Sequence, residues 1–143
     1  MTSNSLSAGV AKIAAASLLL LGAFTASYAK DVAAKLTGDQ EVPPVTTTAT
    51  GAGTISINKD KSVKGSITTT GIEGSMAHIH LAGPGKNGPA IITLIKSGDN
   101  VWSVPDNAKL TDDQYKSFMS GDLYVNVHSD AHKGGEIRTQ LKP

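Results

Sequence analysis

At 143 residues, with a net charge of +1 and aromatics at only 4%, the chain suits one domain with one core. It has neither the basic excess nor the aromatic platforms that nucleic acid or an anionic membrane would require. Cysteine is absent, which excludes disulfides, thiol chemistry and thiolate metal centres, so any metal must be held by His, carboxylate or Met.

In chain order, Lys12 precedes the apolar run "IAAASLLLLGAFTA", and "SYAK" follows with small residues at −3 and −1 of a cut between Ala29 and Lys30. This is the layout of a secretory signal peptide, with an apolar stretch short for a membrane span. The alternative is an uncleaved anchor. No cysteine follows the apolar run, so lipoprotein attachment is not expected. Residues 1–29 are therefore expected to be removed. Residues 30–143 form the exported domain, periplasmic or secreted, with no membrane span after processing.

Within that domain "AAKLTGD" reads as a first strand, and "QEVPPVTTTATG" as an extended, proline-interrupted connection. "AGTISINKDKSVKGSITTTGI" predicts a hairpin: Ile55 and Ile57 alternate with small polar residues, "NKDKS" turns, and Val63 and Ile67 resume the alternation. "MAHIHLAG" is a strand of period two. "GPAIITLIKSG" is read as one further strand, its continuous apolar run implying a buried position. Thr111 and Gln114 form a capping box for a short helix over "LTDDQYKSFMSG", which Gly121 ends. "DLYVNVHSDAHKGGEIRTQL" makes a second hairpin with its glycine pair near the turn. Seven or eight short strands in this order predict an all-β fold, an antiparallel Greek-key sandwich or barrel with one short helix.

All four histidines of the chain lie in two of these segments. Residues i and i+2 of a strand share a face, so His78 and His80 point one way with Met76, while Ala77, Ile79 and Leu81 point to the core. In the last hairpin Leu123, Val125 and Val127 take the core face, which leaves Tyr124, Asn126 and His128 on the polar outer face. Glu136, Arg138 and Gln140 alternate onto that face from the return strand.

Two imidazoles at i and i+2 stand roughly 6–7 Å apart at the backbone, and a third from a neighbouring strand completes a three-histidine site. His78, His80 and His128 are the candidate ligands, with His132 in the following turn as a fourth. The whole reading depends on the two strands being adjacent. With imidazole donors alone the Irving–Williams order favours copper, with zinc as the alternative. Arg138 is the candidate for steering a small anion such as superoxide. Glu136 is the only candidate to orient a zinc-bound water. The Gly-rich "AGPGKNGP" joins two strands and opens no helix, so it is read as a loop and not a phosphate cradle. Trp102 is expected in the core or at its rim.

The blocks "EVPPV" at 41–45, "MAHIHLAGPGKNGPAIITL" at 76–94 and "GDLYVNVHSDAHKGGEIRTQL" at 121–141 resemble the CHRD domain family, named after chordin. The resemblance spans essentially the whole of residues 30–143. It implies an extracellular all-β domain, immunoglobulin- or barrel-like, without a settled activity. The family's A-H-I-H and V-N-x-H elements are matched by Ala77–His80 and Val125–His128, which carries His78, His80 and His128 over as its functional histidines. His132 falls where members vary. Ser129 stands where Thr is common, and Thr139 where Gly is usual.

A strand H-x-H followed by a distant strand histidine is also similar to the copper half of Cu/Zn superoxide dismutases. Their bridging histidine, zinc loop and disulfide have no counterpart here. The functions left open are a copper-binding domain with superoxide dismutase-like activity, a copper store without turnover, and a structural or adhesive module.

Overall fold

A computed structural model describes residues 29–143 together with Met1. The expected signal peptide, apart from its two ends, lies outside the described residues. Among the described residues nine strands form one antiparallel sheet: β1 (Lys30–Thr37), β2 (Thr50–Ile57), β3 (Val63–Thr70), β4 (Gly74–Leu81), β5 (Ala90–Thr93), β6 (Ile95–Gly98), β7 (Val101–Ser103), β8 (Leu123–Ser129) and β9 (Ile137–Leu141). Their order across the sheet is β5-β4-β8-β9-β1-β2-β3-β7-β6. One α-helix, α1 (Asp112–Met119), precedes β8. No helix of the described residues is long and apolar enough to cross a membrane.

Period-two patterning built these strands. Val32, Ala34 and Leu36 of β1 point inward, as do Ile55 and Ile57 of β2 and Val63 and Ile67 of β3. The "NKDKS" turn forms as expected: Asp60 accepts hydrogen bonds from the Ser62 amide and hydroxyl, and Lys61 takes the left-handed φ of 72°. The capping box of α1 is present in both directions, Thr111 accepting from the Gln114 amide and Gln114 accepting from the Thr111 amide. Through Phe118, which is fully buried, the helix joins a core that also contains Trp102, Ile79, Val125, Val127 and Leu141.

The segment 88–98 departs from expectation. It is not one buried strand. Its chain forms β5 at one edge of the sheet and β6 at the other, joined only through Leu94, whose amide donates to the Ala77 carbonyl at 2.9 Å. Ile92 and Leu94 enter the core, whereas Ile91 is half-buried and Ile95 is 56% exposed. A continuous apolar run here marks the place where the two edges of a nearly closed barrel meet.

The outer face of β4, β8 and β9 is the second departure. The alternation assigned it to solvent, but chain 41–47 and chain 82–89 roof it. The two roofing loops hold each other, Asn87 Nδ2 donating to the Val42 carbonyl at 2.7 Å. Each also grips the sheet. Gln140 donates to the Ala82 and Gly121 carbonyls at 2.8 and 2.9 Å, and Thr47 donates to Glu136 Oε1 at 2.7 Å. The Val42–Pro43 peptide in this roof is cis.

Candidate metal centre

Strand adjacency, on which the histidine reading depends, is present. β4 and β8 pair antiparallel, with Met76 opposite His128, His78 opposite Asn126 and His80 opposite Tyr124. Inward packing of Ala77, Ile79, Val125 and Val127 fixes the register, because a one-residue slip would turn these side chains out of the core. One ring nitrogen from each of His78, His80 and His128 then lies within 4.8 Å of the other two. An ion at the usual metal–nitrogen distance spaces tetrahedral donors roughly 3.3 Å apart, so small ring rotations suffice to close the triad on one ion.

Two backbone carbonyls decide which nitrogens face inward. His80 Nδ1 lies 2.9 Å from the Gly88 carbonyl and His128 Nδ1 lies 2.9 Å from the Lys133 carbonyl. A carbonyl only accepts, so each Nδ1 carries the proton and each Nε2 presents a lone pair. This is the outer support that metal-bound imidazoles normally have. His80 Nε2 is buried and has no hydrogen-bond partner among the described residues. His78 Nδ1 stands 3.0 Å from His128 Nε2 and donates to it in the metal-free protein. Moving that proton to the other nitrogen of His78 frees Nδ1 as the third donor. The residues therefore fit a metal ion.

The electrostatics favour neutral rings. His78 is held below the ordinary 6.5 by burial first, then by the nearby His128 and His80. Burial lowers His80 as well, only partly opposed by its bond to Gly88. Because both folded-state values lie below the unfolded ones, the unfolded chain takes up protons first as pH falls. Stability of the metal-free protein is therefore complete above about 6.5 and declines below it, toward the folded values. Glu41 acts in the opposite sense. Burial raises its carboxyl above the ordinary 4.5, so its stabilisation is complete below that value and is lost as pH rises through the folded one. Thermal melts of metal-free Glu41→Gln between pH 8 and 5 isolate the histidine effect. The expected result is a falling Tm, and a flat profile would show the rings to be already solvated.

Tyr124 stands between the triad and β9. Its ring stacks on His80 at 4.6 Å between centroids with the planes 1° apart, and the Arg138 guanidinium lies 3.4 Å from its centroid. Arg138 is 1% exposed. It contacts Asn87 Oδ1 at 3.3 Å, Gln140 Oε1 at 3.2 Å and the Gly83 carbonyl at 3.5 Å, all neutral acceptors. Among the described residues it makes no salt bridge to a carboxylate. Burial pushes the guanidinium below its usual range, against the pull of Tyr124 and Glu41. A desolvated cation–π contact contributes about 2 kcal/mol, which offsets only part of the several kcal/mol that burying the charge costs.

The remaining candidates fall outside the triad. His132 lies in the β8–β9 turn, where its amide and carbonyl bond with Ser129, and its ring lines a groove with Val42, Asn87 and Gly134. Met76 is opposite His128 but 47% exposed. Both carboxylate oxygens of Glu136 accept hydrogen bonds, Oε1 from Thr47 and Oε2 from Ser129 at 2.5 Å. Trp102 is a core residue. Three residues that line this region had no assigned role in the sequence reading: Tyr124, Asn126 and Glu41. Asn126 did leave a signal, being a poor strand former set between two valines in the middle of β8.

The CHRD domain family model matches residues 32–141. No curated protein and no solved structure gives a match.

Proposed function

This chain belongs to the CHRD domain family, and we propose that it is an exported domain that binds one copper ion through His78, His80 and His128. The observation that carries the proposal is the convergence of three imidazole nitrogens within 4.8 Å, two with their tautomers set by backbone carbonyls. Three neutral nitrogen donors and no thiolate favour copper over zinc at equal availability. Export follows from the signal-peptide pattern of residues 1–29, and a cysteine-free domain is indifferent to the oxidising conditions met there. Bound copper supplies a one-electron couple.

The chain's own residues do the rest. Chain 82–89 holds the Gly88 carbonyl against His80. The 130–136 turn holds the Lys133 carbonyl against His128. Tyr124 keeps the His80 ring flat against its own.

Titration of the purified protein with Cu(II), followed by calorimetry and electron paramagnetic resonance, tests the proposal. One tight site with nitrogen couplings is expected. Weak binding at many sites would return the domain to the structural or adhesive reading.

Turnover of superoxide is a second reading, favoured by one observation: Arg138 is buried close to the triad with no ion-pair partner among the described residues. Its field attracts a small anion without touching it. If so, the copper-loaded protein consumes superoxide, and Arg138→Gln slows this about tenfold at low ionic strength while flattening its salt dependence. A loaded protein that leaves superoxide unchanged is a store.

A further inference from the structure

Asn126 sits where the triad converges. It faces His78 across the β4–β8 pairing and shares its face with His128 two residues on. Its side chain is 1% exposed. The carboxamide nitrogen is 3.3 Å from Glu41 Oε1 and 3.5 Å from the Gly134 carbonyl. A carbonyl accepts and cannot donate, so the nitrogen belongs on that side and the oxygen is turned to the other. Gly135 packs directly beneath this arrangement, where a Cβ would collide with Asn126 Nδ2 and Glu41 Oε1. A flip would set the amide oxygen against the Gly134 carbonyl, an acceptor with no proton to give.

Asn126 Oδ1, so oriented, is buried and has no hydrogen-bond partner among the described residues. Among the described residues only one other buried side-chain atom shares that condition, and it is His80 Nε2. The two share one face of the β4–β8 pair, Asn126 directly opposite His78 and His80 two residues on from His78. Neither atom has a proton to offer the other: His80 carries its proton on Nδ1, toward Gly88. Buried acceptors are ordinarily satisfied, and two unpartnered lone pairs on one buried face without a proton between them are satisfied by a cation.

We infer that Asn126 Oδ1 is the fourth donor to the ion held by His78, His80 and His128. The site is then three-nitrogen, one-oxygen, with Glu41 and Gly135 as positioning residues for the amide. The inference rests on the triad reading above. It also bears on turnover, since a fourth protein donor closes a position that a catalytic site keeps open.

Two near-isosteric variants of the full protein test it, with Cu(II) and Co(II) as probes. Asn126→Leu removes the oxygen and is expected to bind one equivalent through the histidines about tenfold more weakly. Asn126→Asp keeps an oxygen in place and gives it charge. It is expected to bind Co(II) about tenfold more tightly, with a shifted visible spectrum for Co(II) and a shifted parallel g value for Cu(II). A purely structural role for Asn126 would leave those spectra unmoved, and melts of the metal-free variants separate folding from ligation. Wild-type affinity and spectra in both variants, with binding still lost in His80→Ala, would overturn the fourth donor and leave the triad standing. Failure of the wild type to bind one equivalent would overturn both.

Discussion

His80→Ala is expected to lose stoichiometric copper binding while the metal-free protein keeps its fold. Outer-sphere partners of metal-bound histidines are worth 10- to 100-fold in affinity. Loss of a ligand should therefore cost at least about 100-fold. The effect on the metal-free protein is smaller because its parts oppose one another. The mutation removes a stack on Tyr124, worth about 1 kcal/mol, and the bond to the Gly88 carbonyl. It also removes the unpartnered Nε2, whose burial without a partner costs a similar amount. The net change should stay within about 1 kcal/mol, giving a metal-free Tm near that of the wild type. Calorimetric titration and thermal melts of the same sample read both quantities. Tight binding that survives in His80→Ala would mean that the triad is not the site.

Gly135→Ala is expected to be strongly destabilising, and Gly134→Ala next to it nearly silent. Gly135 has a φ of 124°, a region open to glycine and strained for any other residue. The added Cβ would also run into Asn126 Nδ2 and Glu41 Oε1, both buried. Strain and collision together should cost about 3 kcal/mol. The collision also displaces the amide and the turn that presents the Lys133 carbonyl to His128, so metal affinity should fall with stability. A Cβ on Gly134 meets nothing within 4 Å, and its substitution should stay within about 0.5 kcal/mol. Denaturant unfolding of the pair decides the matter. Equal stability for the two variants would show that the turn relaxes freely and does not hold the site.

The sequence by itself determined the strands, the capped helix and the side on which each histidine lies. Those properties are local: a period of two, a turn residue or a Thr–Gln capping box acts within a few positions along the chain. Ala77, Ile79, Val125 and Val127 had to face the core, so His78, His80 and His128 had to face away from it. The family blocks were legible for the same reason, being short contiguous motifs.

Pairing, closure and cover were decided only in the tertiary structure. Nothing within "AHIH" or "YVNVH" says that β4 lies beside β8. "AIITLI" reads as a buried strand until the chain uses it to bring two sheet edges together at Leu94. The apparently solvated face was the least legible of all. Glu41, Asn87 and Gly88 come from loops distant in sequence and bury Asn126 and Arg138 from outside, turning polar alternation into a low-dielectric site. Alternation records which way a side chain leaves the sheet. What meets it there depends on long-range packing.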